Sequence, residues 1–297
     1  MRAMLLAAGR GSRLGVLTEE RAKPAVPFAN RPMAAVALGA LARAGAREVM
    51  VNTHHLPHTV EAALRRAAPG AMTLRFHNEP QLLGTGGGVA AVAEWLAEPG
   101  GPVVLMNSDV LFEPDLTAVV AAHREAGAWA TMVVREDPRA RDFGAVWTRE
   151  DRVVGIDGTT APRHEGRGEP HVFTGVHVLS PECLQTLPTS GCIVREGYAP
   201  WLNAGCHVGA WVSHDPWEDL GTPRRYLAAH GRHDGTRVHA EAQIHPDAEL
   251  DGTWVGAGAK VGPVRLRNVV VWDGARVDEP LENAVVTTDG RVVTVAP

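Results

Sequence analysis

The chain has 297 residues, 45% of them hydrophobic, which suits one large domain with an appendage or two modest ones around a well-buried core. A formal charge of −5 and a pI near 6.3 exclude a general nucleic-acid binder, which would carry a basic face, yet leave room for an anionic substrate held by a local cationic cluster. No stretch approaches the roughly 18–20 apolar residues of a membrane span, and the apolar run in MRAMLLAAGRG is too short for a secretory core. Cys183, Cys192 and Cys206 lack metal-like CxxC spacing and read as reduced thiols, so a cytoplasmic protein without membrane partners is expected.

In chain order, Ala3–Ala7 reads as a buried strand, and Met33–Ala44 as an amphipathic helix introduced by Pro32 and stopped by Gly45. Glu48–Asn52 is the next strand and Val60–Ala68 the next helix. Further strands are predicted at Met72–His77, Val103–Asn107 and Ala130–Arg135, with helices from about Gly88 and Pro114 between them. This β-α-β-α rhythm predicts an α/β fold with a mixed, mostly parallel Rossmann-like sheet, whose ligands sit at the carboxyl ends of its strands. Two-residue periodicity at Gly144–Trp147, Arg152–Ile156 and His171–Leu179 predicts antiparallel strands beside the main sheet, with TTAPRHEGRGEP from Thr159 as a loop between them. A last helix follows Pro223 and runs to about His230.

From about Ala240 the texture changes. Ile244, Leu250, Val255, Val261, Leu266, Val271 and Val277 recur every five or six positions with Gly, Asp and Asn between them. That spacing resembles the hexapeptide repeat of a left-handed β-helix, and a small β-meander is the alternative. The expected division is therefore a domain over 1–235 and a repeat segment over 240–297.

The first strand runs into AAGRGSRL, in which Gly9 and Gly11 let backbone N–H groups approach a phosphate. The third glycine of a dinucleotide fingerprint would fall at Leu14, and no GK[ST] follows, so neither common phosphate loop applies. Only Lys23 and Lys260 are lysines among 29 basic residues, so Lys23 stands against a strong arginine bias. LGTGGG, from Leu83 to Gly88 after NEPQ, is by itself a flexible turn opening a helix. VVLMNSDVLF ends a buried strand at Asn107, Ser108 and Asp109, where a carboxylate is either a turn residue or a hard ligand for Mg²⁺. PWEDLGTPRRYLAA, from Pro216, carries Asp219, and its Thr222-Pro223 reads as a helix cap and first turn.

Taken together, LAAGRGSRL with the following Lys23-Pro24, LGTGGG, NSD and WEDLGTP resemble the signature of the sugar-1-phosphate nucleotidylyltransferases, over residues 3 to about 230. The resemblance implies transfer of a nucleotidyl group from a nucleoside triphosphate to a sugar 1-phosphate, with Mg²⁺ as cofactor. It implies that Ala8, Gly9, Gly11 and Ser12 cradle the triphosphate, that Arg13 binds the leaving pyrophosphate, and that Lys23 neutralises charge near the α-phosphate. Gly84, Gly86 and Gly87 are implied in base and ribose contacts, and Asp109 and Asp219 as metal ligands. DFGAV and FTGVHVLSPECL resemble acceptor-side segments of the family, placing Gly144, Thr174 and Gly175 at the sugar.

The chain departs from many members in having no Lys between Lys23 and Lys260 to grip the sugar phosphate. Arg163 or Arg167 could stand in, although a guanidinium is not equivalent to an ammonium. The expected substrates are GTP and mannose 1-phosphate. UTP- or dTTP-dependent enzymes, transferases for another phosphorylated acceptor, and a non-catalytic nucleotide-sugar-binding subunit are the alternatives. The C-terminal repeats are expected to serve a homo-oligomer interface or to shield a domain edge. His54, His55 and His58 lack carboxylate support for a metal, and Trp201 and Trp217 read as packing residues.

Overall fold

A computed structural model of the chain describes residues 1–159, 168–232 and 237–296. The predicted loop from Thr159, with Arg163 and Arg167, falls largely outside the described residues. Two compact units emerge, neither contiguous in sequence. The first comprises Met1–Gly9, Val36–His55 and Ala68–Trp217, and the second Arg10–Ala35, Leu56–Ala67 and Glu218–Pro297.

The first unit is built on a nine-stranded sheet. Its strands in chain order are β1 (Arg2–Leu6), β2 (Glu48–Thr53), β3 (Thr73–Asn78), β4 (Val103–Asn107), β5 (Ala130–Arg135), β6 (Val146–Arg149), β7 (Arg152–Ile156), β8 (Glu169–Leu179) and β9 (Val208–Val212). Their spatial order is β3-β2-β1-β4-β8-β5-β9-β7-β6. β1 pairs in parallel with both β2 and β4, so the strand order reverses at β1, the point where open α/β sheets form a ligand crevice at their carboxyl ends. Leu6 lies beside Asn52 on one side and Asn107 on the other, which brings the ends of three strands level.

The antiparallel strands do not all lie beside the main sheet. β8 enters its middle, antiparallel to both β4 and β5. The reason is visible in its burial: Val176, Val178 and Leu179 are all but inaccessible, so this strand needs cover on both faces. The helix expected from about Gly88 starts earlier, at Gly84, and breaks into Gly84–Ala90 and Ala93–Ala97.

In the second unit the chain after residue 237 forms stacked parallel coils. Val238, Val255, Val271 and Val286 form one column, Ile244, Val261 and Val277 a second, and Leu250, Leu266 and Leu281 a third. Parallel pairing excludes an antiparallel meander for these rungs. Val255, Val261, Leu266, Val271 and Val277, five of the seven residues that mark the sequence repeat, are buried in this core. A final antiparallel strand, Val292–Thr294, pairs with Leu281–Val286 and covers the last edge. The helix Pro223–Arg232 docks on the coils through indole hydrogen bonds, from Trp254 Nε1 to the His230 carbonyl (3.1 Å) and from Trp272 Nε1 to the Tyr226 hydroxyl (3.1 Å).

Two buried imidazoles make the first unit acid-sensitive. His177 contacts the Tyr198 hydroxyl through Nδ1 (2.8 Å), and desolvation pushes its pKa down to about 3. His123 lies between the Thr131 and Ser180 hydroxyls, and burial is the chief cause of its fall to about 4. Both are neutral when folded, whereas the unfolded chain takes up protons below its ordinary value of 6.5. Stability is therefore at its full value above pH 6.5 and is lost as pH falls toward 4, at about 1.4 kcal/mol per pH unit for each histidine. Urea midpoints at pH 7.5, 6.0 and 5.0 should fall less steeply for His177→Asn than for the native chain, and parallel slopes would contradict this assignment.

Candidate active site

The residues singled out in the sequence divide between the two units. In the first, β1 leads into Ala8, which is buried, and Gly9, which is exposed with no atom within 4 Å of where a Cβ would stand. Gly9 therefore leaves open backbone just beyond the strand's carboxyl end, the kind of surface a phosphate needs. The turn after β4 is tied back to β1, because the Ser108 N–H (3.2 Å) and hydroxyl (2.7 Å) both donate to the Leu6 carbonyl. That fixes the half-buried Asp109 beside the switch point.

LGTGGG is held far more tightly than a flexible turn. The Gly86 N–H donates to the Gly191 carbonyl (2.9 Å), the Gly191 N–H donates to the Leu83 carbonyl (2.7 Å), and the Thr85 hydroxyl accepts from the Ile193 N–H (3.0 Å). A Cβ on Gly84, whose φ is +76°, would sit 2.5 Å from the Gly191 oxygen, and one on Gly87 would sit 2.7 Å from Ser190 Cα and the Thr189 oxygen. Gly86 is nearly as tight, at 3.2 Å from the Gly191 oxygen. These glycines are thus required by backbone packing within the protein, whatever they also offer to a ligand.

Two residues that the sequence reading did not single out anchor this segment. Asn52, at the end of β2, accepts the Ala7 N–H through Oδ1 (2.8 Å) and donates through Nδ2 to Glu79 Oε1 (2.8 Å). The other Glu79 oxygen accepts the Leu83 N–H (2.9 Å). Both side chains are buried, at 3% and 1% exposure, and Gly88 leaves the space they fill. A buried carboxylate persists only when its lone pairs are satisfied, and the neighbouring NEP string is the one local sign of this role. His54 Nδ1 contacts the Glu79 carbonyl oxygen (2.8 Å), a structural role for that histidine.

On the acceptor side, Thr174 and Gly175 form a bulge in β8, where the register against β5 shifts between Phe173 and Val176. Thr174 is buried and its hydroxyl donates to the Val133 carbonyl (2.7 Å), while its own carbonyl accepts from Trp217 Nε1 (2.9 Å). Gly175, at φ +88°, has no room for a side chain against Asn107. The Thr174 hydroxyl is thus already committed inside the protein. Gly144 caps the short helix Ala140–Phe143 at φ +82° with open space around it.

The other singled-out residues lie in the second unit. Gly11, at φ +65°, packs on Lys23 and Thr18, where a Cβ would stand 2.9 Å from Lys23 Cβ. Ser12 is exposed and opens the 3-10 turns Ser12–Thr18. Lys23 is only 6% exposed, so its ammonium is carried on a fixed stem. Asp219 ends the short strand Trp217–Asp219 and accepts from Arg225 Nη1 through Oδ2 (2.6 Å), with Arg13 Nη1 at 3.8 Å. Arg13 lies over Gly221, where any Cβ would meet its guanidinium at 2.9 Å. Thr222 caps the following helix, accepting the Arg225 N–H through Oγ1 (3.3 Å). Glu218 pairs with Arg232.

Glu79→Gln replaces one acceptor facing the Leu83 N–H by a donor. It should cost about 1–3 kcal/mol in urea unfolding and weaken nucleotide binding. Native stability together with native nucleotide affinity would contradict the anchoring role.

Comparison with known proteins agrees with the motif resemblance. The sequence profile described as Nucleotidyl transferase matches residues 2–234. A mannose-1-phosphate guanylyltransferase from Mycobacterium tuberculosis is 32% identical, the alignment covering 93% of this chain and 81% of that protein. A UTP–glucose-1-phosphate uridylyltransferase from Synechocystis is 28% identical over 95% of this chain and 73% of its own length. Among solved structures, HddC from Yersinia pseudotuberculosis, complexed with GMP-PN, has a similar fold (TM-score 0.63, 18% identity, covering 77% of this chain and 97% of that one). The chain belongs to the nucleotidyl transferase family, among its sugar-1-phosphate nucleotidyltransferases.

Proposed function

We propose that the chain transfers a guanylyl group from GTP to mannose 1-phosphate. The observation that carries this choice is the 32% identity to the mycobacterial guanylyltransferase across 93% of the chain. A UTP-dependent reaction on glucose 1-phosphate is the second reading, favoured by the Synechocystis relative. In either case an oxygen of the sugar phosphate attacks the α-phosphorus. A new P–O bond forms, the bond between the α-phosphorus and the bridging oxygen to the β-phosphate breaks, and pyrophosphate leaves with that oxygen.

Such a transfer needs positioning and positive charge more than covalent help. Gly9 and Gly11 offer backbone to the triphosphate, with Ala8 and Ser12 beside them, and Lys23 brings a buried-stem ammonium to the α-phosphate. Arg13, 65% exposed and only loosely paired at 3.8 Å, is free to follow the departing pyrophosphate. Gly84, Gly86 and Gly87 present backbone to the base and ribose, while Gly144, Thr174 and Gly175 present backbone to the sugar.

Asp109 and Asp219 are the proposed ligands of Mg²⁺. The donor chemistry fits: Asp219 is a carboxylate ending a short strand and Asp109 one in the turn after β4, and water and phosphate would fill the remaining positions. When bound, the ion offsets the phosphate charge that repels the incoming nucleophile. The 1–235 region is assigned to this chemistry. The stacked coils after 240 are assigned a left-handed β-helix that serves self-association or edge shielding.

Pyrophosphate release with Mg²⁺, crossing GTP, UTP, dTTP, CTP and ATP against a panel of sugar 1-phosphates, should peak at GTP with mannose 1-phosphate. A peak at another pair would replace the substrates, and silence in protein that binds nucleotide would favour a regulatory role. Asp109→Ala and Lys23→Ala should each lower turnover by about 10²–10³, and near-normal rates in either would refute its assignment.

A further inference from the structure

Asp219 is not an open carboxylate. Its Oδ2 accepts from Arg225 Nη1 at 2.6 Å, and Arg13 Nη1 lies 3.8 Å from the same oxygen. Its Oδ1 is backed by Gly221, where a Cβ would stand 2.8 Å away. The Asp219 side chain is only 13% exposed, so solvent screens these contacts less than it would at an open surface. All four residues belong to the second unit.

The two arginines are held differently. Arg225 stands in the first turn of the helix Pro223–Arg232, where its N–H donates to the Thr222 hydroxyl (3.3 Å). The next residue, Tyr226, is fully buried, which fixes the backbone beneath Arg225. Arg13 belongs to the 3-10 turns Ser12–Thr18, and its side chain is 65% exposed. The short charge-assisted bond therefore comes from the anchored residue, and it decides where the carboxylate stands.

This arrangement opposes a cation at the same carboxylate. One carboxylate and two guanidiniums make a group of net positive charge, which repels a divalent ion. Such an ion also needs a carboxylate oxygen, and Arg225 already occupies Oδ2. Phosphate reverses both effects. Its oxygens suit a guanidinium as well as a carboxylate's do, so a bound phosphate draws the arginines away from Oδ2 and adds the negative charge that the group lacks.

We propose that Arg225 is a positioning residue that competes with the metal for Asp219 Oδ2, so that Asp219 becomes a good ligand only when phosphate engages the arginines. The inference rests on the reading of Asp219 as a metal ligand. It adds a residue to that reading and a reason for the metal to bind together with substrate.

Mn²⁺, a hard cation with the same preference for oxygen ligands, is the probe, and its binding to the full chain is read from loss of the free-ion EPR signal. Without nucleotide, Arg225→Met should tighten Mn²⁺ binding by about fivefold or more, whereas Arg225→Lys keeps the charge and should stay within about twofold of the native chain. A merely structural role would act in the opposite direction, because a carboxylate that has lost its support holds a cation less well. In the Asp219→Asn background, Arg225→Met should change nothing. With GTP bound, or UTP for the second reading, Arg225→Met should bind the Mn²⁺–nucleotide complex no more tightly than the native chain. Unchanged or weaker Mn²⁺ binding in Arg225→Met, beside weaker binding in Asp219→Asn, would overturn the proposal alone. Native Mn²⁺ affinity in Asp219→Asn would overturn the metal assignment and the proposal with it. A gain that persists with nucleotide bound would refute the release by phosphate. If Arg225→Met fails to fold, Arg225→Gln must tighten Mn²⁺ binding in the same direction.

Discussion

The geometry of the first unit depends on one buried hydrogen-bonded bridge, Ala7 to Asn52 to Glu79 to Leu83. Burying an ionised carboxylate is costly unless each of its oxygens finds a donor, and here one oxygen takes a side-chain amide and the other a backbone N–H. The bridge ties the carboxyl ends of β1 and β2 to the segment that opens the helix Gly84–Ala90. The end of β1 and the glycine-rich segment cannot then move independently. Any ligand held by these backbones gains from this, because less ordering is left to be done when it binds.

The same logic explains why so many glycines crowd one segment. Gly84, Gly86 and Gly87 lie against the backbone of Thr189 to Ile193, and Gly88 lies against Glu79 and Asn52. Close backbone packing of this kind leaves N–H groups at fixed positions. In the second unit, Gly221 has a comparable role for a side chain, leaving room for the Arg13 guanidinium beside Asp219 and Arg225. One carboxylate between two arginines keeps both cations close together, while the 3.8 Å separation leaves Arg13 loosely held.

Much of this was legible in the sequence. The strands Val103–Asn107, Ala130–Arg135 and Arg152–Ile156 stand where apolar runs and alternation put them, because burial on one or both faces writes a strong local pattern. The family motifs were legible because they are contiguous strings. What escaped were partnerships at long separation. Asn52 and Glu79 are unremarkable polar residues until the fold brings them together, and Gly191 carries no sign that Leu83 and Gly86 bond to it. The interleaving of segments such as Leu56–Ala67 with the C-terminal coils in one compact unit is likewise a product of tertiary packing, with no local signal. The position of β8 inside the sheet could be inferred only from its two-sided burial, which an alternating reading of His171–Leu179 understates.

The central claim is that the chain moves a nucleotidyl group onto a sugar 1-phosphate. It is tested most directly by following GTP and mannose 1-phosphate together by ³¹P NMR with Mg²⁺ and enzyme. The account predicts that the sugar-phosphate signal disappears as new diphosphate-diester signals and pyrophosphate grow in a one-to-one ratio. Pyrophosphate appearing while the sugar phosphate stays intact would contradict it, because the nucleotide would then be passing to water or another acceptor.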